Sequence, residues 1–308
     1  MRHIFRCHFM LLAMALLAIS CATRAPASMK DPVHRIAVIS AFEPELIALE
    51  SHVEGRVDTT IDGVTFVTGK MSGKDTVLFL SGVSMVNAAM TTQMALDHFT
   101  IDRIVVSGVA GGVDPGLDVG DVVAASQWAQ YLESLMARET PGGFNSANLP
   151  VPHASLPNFG MMFVRNIQIA RGASPPEQKL WFLADPAMLD IARKLSGEVE
   201  LKRCAGDQCL TSTPKMIVGG NGVSGASFVD NAALREWAFK TFEARVLDME
   251  TAAVAHVAYV NQTPFIAFRS LSDLAGGEAG ANQAQAFYSL ASQNSAAVVL
   301  AFLAALPK

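Results

Sequence analysis

Three clusters of carboxylates stand far apart in this chain: Glu43-Pro44-Glu45, Asp248-Met249-Glu250, and the end of the stretch Pro264-Phe-Ile-Ala-Phe-Arg-Ser-Leu-Ser-Asp273. Phe265 to Phe268 is a short apolar run entered through a proline, which reads as a buried strand. The run breaks into Arg269, Ser270, Ser272 and Asp273. In open α/β sheets, ligands sit at the carboxyl ends of the strands. A charged pair delivered there is either a site or a capped turn, since Ser and Asp are ordinary helix-start residues. Glu45 and Glu250 carry the same two readings. An acid in the first turn of a helix is stabilised by the macrodipole with no function needed. A buried carboxylate, by contrast, must be paired or hydrogen-bonded, and a polyhydroxylated ligand supplies that. His256, further along the helix after Glu250, reads as a satisfied core or surface histidine. Gly108-Val-Ala-Gly-Gly112 offers backbone N–H groups to a phosphate, and a tight turn is the competing reading. It lacks the Lys-Ser/Thr ending of a P-loop and the spacing of a dinucleotide fingerprint.

The elements that must position these residues follow from hydrophobic patterning. His34 to Ala41 is a compact β-prone run, and Glu43 to Glu50 then takes up helical spacing. Val64–Thr68 and Asp75–Leu80 form a strand pair, Met85 to His98 is helical, and Asp102 to Ser107 is a further buried strand running into the glycines. Asp118 to Ala124 begins another strand. From about Gln127 to Ser212 the pattern loosens under a series of prolines and glycines, with a helix over Asp185 to Leu195. Regularity returns with strands at Lys215–Gly220 and from Asn221, and a helix over Asn231 to Phe242. A strand at Arg245–Leu247 follows, then a helix carrying Met249 and Glu250, and an Ala-rich C-terminal helix within Ala281 to Leu306. Strands alternating with helices point to βαβ units. The expected fold is a single-domain three-layer α/β structure, with a central, mostly parallel, twisted mixed sheet flanked by helices. The expected domain spans 28–308, with an insertion at about 127–212.

Composition narrows the function classes. The chain is 51% hydrophobic and only 17% charged, so a sizeable core is expected. Its first residues, Met1-Arg-His-Ile-Phe-Arg6 followed by an apolar core from about Phe9 to Ile19, form a basic n-region and a short h-region. Such a core is too short to span a bilayer as a helix. Ala18-Ile19-Ser20-Cys21 looks like a bacterial lipoprotein box that would acylate Cys21, and Ala25-Pro26-Ala27 fits a small-x-small cleavage site. Export to the periplasm, with or without a lipid anchor at Cys21, is the expectation; a cytosolic protein with an apolar N-terminal helix competes with it. Cleavage after Ala27 removes Arg2, Arg6 and Arg24 and no acids, taking the net charge from −5 to about −8. No basic run matches a phosphate backbone, which argues against nucleic acid. No later segment has the unbroken apolar length of a membrane span. Cys204 and Cys209 lack a second Cys or His pair for a tetrahedral metal site. In an oxidising compartment they are expected to form a local disulfide, with two free thiols as the alternative.

Six segments occur in a fixed order: Val38-Ile-Ser-Ala-Phe-Glu-Pro-Glu45, Ser81-Gly-Val-Ser84, Ser107-Gly-Val-Ala-Gly-Gly112, Gly225-Ala-Ser-Phe228, Leu247-Asp-Met-Glu-Thr-Ala-Ala253 and Arg269-Ser-Leu-Ser-Asp273. In this the chain resembles the nucleoside phosphorylase superfamily, and within it the 5′-methylthioadenosine/S-adenosylhomocysteine nucleosidases. The likeness runs from about Arg35 to the C-terminus. The stretch from Gln127 to Ser212 looks like the insertion of the plant storage-protein branch.

The resemblance implies hydrolysis of the N-glycosidic bond of an adenine nucleoside, with Asp273 as the acid at purine N7 and Glu45 activating a water. It further implies that Glu250 binds the ribose hydroxyls with Met249 beneath the sugar, and that Arg269 holds the water and the carboxylates. Phe228 would stack on the base and the Val229 backbone would read its edge, with Ala110 and Gly111 also at the substrate. No cofactor or metal is implied. Relatives of this type form homodimers or larger assemblies in which a neighbouring subunit closes the 5′ side of the pocket. Two alternatives stay open: a phosphate-dependent purine nucleoside phosphorylase, and a non-catalytic nucleoside-binding or storage protein. Val109 stands where many members have Ser, and Glu43 and Glu45 stand where a phosphate site needs cations, which favours water over phosphate as the nucleophile.

Overall fold

In the computed structural model the described residues are 30–147 and 154–307; the expected leader, with Cys7, Cys21 and the two expected cleavage sites, lies outside them. Twelve strands form one sheet: β1 (Asp31–Ser40), β2 (Glu54–Ile61), β3 (Val64–Met71), β4 (Lys74–Leu80), β5 (Phe99–Gly112), β6 (Val122–Ala124), β7 (Gln127–Gln130), β8 (Trp181–Leu183), β9 (Met216–Val218), β10 (Asn221–Ser224), β11 (Ala244–Asp248) and β12 (Phe265–Asp273). The helices are α1 (Glu43–Glu50), α2 (Met85–His98), α3 (Pro186–Leu195), α4 (Ala232–Phe242), α5 (Thr251–Val260) and α6 (Ala284–Ala305).

The sheet runs β8-β7-β10-β11-β5-β1-β4-β3-β2, with β12 branching from β5, β6 pairing with β12, and β9 pairing with β6. Its centre is parallel: β1 with β4 and β5, and β5 with β12. Such strands are covered on both faces and read as unbroken apolar runs. Residues 36–40 of β1 and all nine residues of β12 are accordingly buried. The helices flank the sheet in groups: α2 packs on α5, while α1 and α3 pack on α6, which lies along β12 and β5. By length and composition α6 is apolar enough to cross a membrane. In this fold its Leu290, Val298, Val299, Phe302 and Leu303 are buried, and Phe302 packs on Phe268 at 5.0 Å between ring centroids.

Several local expectations need correcting. The strand from Pro264 does not break at Arg269 but continues to Asp273, carrying Arg269 into the interior. Gly108 to Gly112 is not a turn; it is the end of the 14-residue β5. Met249 and Glu250 precede the helix: α5 begins at Thr251 and Glu250 is its N-cap. Within 127–212, Gln127–Gln130 and Trp181–Leu183 are strands of the main sheet that pair with each other. The irregular excursion lies between them and folds into short ladders such as Ser134–Met136 with Met162–Val164. Asp185 caps α3 through the Met188 N–H at 2.9 Å. The expected disulfide between Cys204 and Cys209, by contrast, is present, across a two-residue turn.

Candidate active site

The acids converge because the register brings strand ends together. β1 and β4 end side by side, with Ser40 opposite Leu80, while β5 runs on past the last β1 pair, Ile39 with Val106. Between Leu271 and Asp273 the β5–β12 pairing shifts by a bulge, so that Asp273 stands opposite Gly111. An extra residue of this kind re-aims the side chains around it. Asp248 closes β11 in register with Ser224 of β10. A cavity of about 260 Å³ opens over these ends.

Glu45 is both a helix-cap residue and a cavity residue. As the third residue of α1 it accepts N–H groups of Ala41 and Phe42 at 2.6 and 3.3 Å on Oε2. Its Oε1 reaches across to the Val109 N–H of β5 at 2.7 Å. Burial pushes its pKa above the ordinary carboxylate range, against the pull of Arg269 and the three backbone donors. Glu250 is less well supplied, with a single backbone donor, the Ser84 N–H at 2.8 Å. Ser84 has a φ of 84°, a conformation uncommon outside glycine, and it is this conformation that presents its N–H to Glu250. Burial raises Glu250 to about 7, with Arg269 opposing and Asp248 reinforcing the shift. Asp273 accepts the Ala275 N–H at 2.8 Å and the Ser272 hydroxyl at 2.9 Å. Burial raises its pKa too, outweighing both donors.

Arg269 is 0% exposed and does not line the cavity. It lies behind the wall, with Nε 2.7 Å from Asp248, Nη2 3.4 Å from Glu250 and Nη1 3.7 Å from Glu45. Burial works against its charge, and the three carboxylates more than offset that.

The structure thus places Glu45, Asp273, Glu250, Met249, Phe228, Val229, Ala110 and Gly111 on one cavity and Arg269 behind it. Phe228 stands at the mouth, 56% exposed, while Val229 is buried. Sequence reasoning missed Asp248, Phe42 and Tyr288 as lining residues. Asp248 had a readable signal, since it lies two residues from Glu250 and alternate residues of an extended segment share a side. Tyr288 had none, because an aromatic in an Ala-rich helix reads as packing; here it stacks edge-on against Phe42, ring centroids 5.4 Å apart.

A mixed sheet whose strand ends gather acids around a cavity of this kind is the frame of a known group of proteins. The family model described as the phosphorylase superfamily matches residues 35–304, and the chain belongs to that superfamily. Among its relatives, the 5′-methylthioadenosine/S-adenosylhomocysteine nucleosidase of Geobacillus kaustophilus is 32% identical over 270 residues, which cover 87% of this chain and 96% of the relative. The protein of the same name from Tolumonas auensis is 27% identical over 271 residues, covering 87% and 98%. The crystal structure of the nucleosidase from Neisseria meningitidis, in complex with methylthio-immucillin-A, aligns with a TM-score of 0.66 at 26% identity, over 89% of this chain and all of that one. Futalosine hydrolase of Helicobacter pylori, with a TM-score of 0.67 at 21% identity over 89% and 99%, shares the fold.

Proposed function

We propose that this chain hydrolyses the N-glycosidic bond of adenine nucleosides of the 5′-methylthioadenosine and S-adenosylhomocysteine type. The observation that carries the mechanism is the placement on one cavity of two buried carboxyls with different hydrogen-bond supplies, three backbone N–H groups at Glu45 and one N–H and one hydroxyl at Asp273. Burial raises Glu45 as well, but Arg269 and three backbone N–H groups pull against that rise and support the ionised form a base requires. Asp273 is raised by burial and favours its protonated form, as an acid requires. Asp273 gives its proton to purine N7, and the bonding pair of the C1′–N9 bond leaves with the base. Glu45 takes a proton from water as the water oxygen bonds C1′. Glu250 holds the ribose hydroxyls and, with Glu45, faces the positive charge that builds on the sugar.

Water is the nucleophile in this reading. Among the described residues no Lys, Arg or His lines the cavity, and Arg269 is committed to three carboxylates. The test is adenine release from methylthioadenosine in phosphate-free buffer. Wild type is expected to turn over, and Asp273→Asn to lose roughly 100- to 10,000-fold in kcat. Full activity in that variant would remove Asp273 from the acid role. A strict phosphate requirement would select the phosphorylase, and adenosine binding without turnover the storage protein.

The same proposal includes export under the leader, with Cys21 as a lipid anchor, and a homodimer. The dimer is supported by an apolar strip beside the cavity. Val83, a lining residue, is 44% exposed, and Val86 and Met90 along α2 are 78% and 54% exposed. Sedimentation of the mature chain measures the assembly, and mass determination of the exported protein the acylation.

A further inference from the structure

Asp248 is the one buried carboxylate of the site to which the mechanism gives no task. Its oxygens are heavily used: Oδ1 accepts the Ser224 hydroxyl and lies 3.3 Å from the Glu250 N–H. The Thr251 N–H and hydroxyl both donate to Asp248 as well. The same Thr251 oxygen accepts from Arg269 Nε at 2.8 Å, and Asp248 Oδ2 lies 2.7 Å from that nitrogen. Of the three acids around Arg269, only Asp248 lies at the distance of a strong charge-assisted hydrogen bond; Glu250 and Glu45 stand off at 3.4 and 3.7 Å.

One buried cation therefore faces three carboxylates, and the distances rank them. We propose that Asp248 is a positioning residue that takes Arg269 as its own counter-ion, and so fixes the guanidinium at a standoff that leaves Glu45 and Glu250 turned to the substrate. The groups facing Asp248 are Arg269 from β12, Glu250 from the same turn, Glu45 from α1 beyond the guanidinium, and Tyr131 from the segment after β7. The Tyr131 hydroxyl has no hydrogen-bond partner among the described residues, and burial together with Asp248 pushes it up to about 12. Ser224 and Thr251 hold Asp248 in turn, so the guanidinium is placed by two neighbouring parallel strands and the first residue of α5. The inference rests on the hydrolase reading, because it names a residue for that reaction.

Asp248→Asn keeps the shape and removes the charge. A guanidinium displaced by about 1 Å costs about 100-fold in kcat, with KM little changed because the groups that touch substrate remain. Loss of a neighbouring negative charge also favours ionisation of the Glu45–Glu250 pair. The rising limb of the pH–rate profile, which reports the base, is therefore expected to move to lower pH. A wild-type kcat, or a lowered kcat with the limb unmoved, overturns the proposal. If the Asn variant does not fold, Ser224→Ala carries the test, since it keeps the charge but removes a donor that orients Asp248. It is expected to lower kcat with the limb in place, and an unchanged kcat overturns the proposal. A wild-type protein that releases no adenine refutes the hydrolase reading itself. Positioning is then read from the assigned Arg269 Nε–H proton resonance, expected to move upfield in Asp248→Asn, or in Ser224→Ala should the Asn variant not fold; an unmoved resonance overturns it.

Discussion

Glu250 has the least support of the acids on the cavity wall, and its titration should be visible in stability. Burial holds it at about 7 in the folded protein against an ordinary value of 4.5. Below 4.5 both folded and unfolded chains carry the proton and the folded state loses nothing. Between 4.5 and 7 the unfolded chain ionises while the folded chain still binds the proton, so stability falls as pH rises. Glu45 and Asp273, also raised by burial, act in the same direction. Urea denaturation is expected to show a midpoint that declines from pH 4.5 to 7, and Glu250→Gln is expected to flatten the decline. A midpoint rising across that window would show that the acids are not buried as placed here. At this scale the sequence was informative about residue type and poor about depth. Glu45, Glu250 and Asp273 could be picked out because acids beside apolar runs need a partner. Nothing in the chain said that Arg269 lies behind the wall, because a strand continuing through Arg269, Ser270 and Ser272 looks polar until those side chains find partners inside.

The glycines of β5 act at the scale of an element. A methyl group on Gly108 would fall inside contact distance of Arg269 Nη1, 2.5 Å from Glu45 Oε1 and 2.8 Å from its carboxyl carbon. Gly108 is therefore required by the close approach of a side-chain ion pair, and its backbone is that of an extended strand. Gly108→Ala is expected to cost about 1–3 kcal/mol through overpacking and to lower kcat by pushing Glu45 and Arg269 apart. Gly142, with nothing within 4 Å of the same added atom, is the control, and Gly142→Ala should leave melting temperature and kcat unchanged. Equal effects in the two variants would mean that the strand tolerates a side chain there. The glycine run was open to reading as a turn because composition cannot tell a backbone that must bend from one that must admit a neighbour. Helices were easier: α2 runs from Met85 to His98, as its periodicity indicates. Among the strands that left no readable pattern, β2 has seven of eight residues exposed, so it has no buried face to generate an alternation.

On the scale of the whole molecule, α/β layering was legible from the alternation of strands and helices, whereas the branched sheet was not. A 14-residue β5 that pairs with β1 and β12 along its length and with β11 at its end depends on contacts between residues far apart in sequence, which local patterns do not encode. The same limit applies to the cavity, whose acids come from α1, β11, the N-cap of α5 and β12 and meet only when the sheet is assembled. The disulfide gives a way to separate this assembled core from its periphery. Cys204 and Cys209 are exposed and five residues apart, and neither lines the cavity. Closing so short a loop restricts the unfolded chain by about 2 kcal/mol in the chain-entropy account, and the tie joins no two elements of the sheet. Cys204→Ser with Cys209→Ser is therefore expected to lower the melting temperature by a few degrees, since about 2 kcal/mol is spread over a domain of this size. Adenine release should keep its kcat and KM. A loss of turnover that follows reduction would mean that the hairpin communicates with the strand ends through α6, against which Lys202 is held by Asn294 at 2.7 Å. In that case the double Ser variant and the Asn294→Ala variant should fail in the same way.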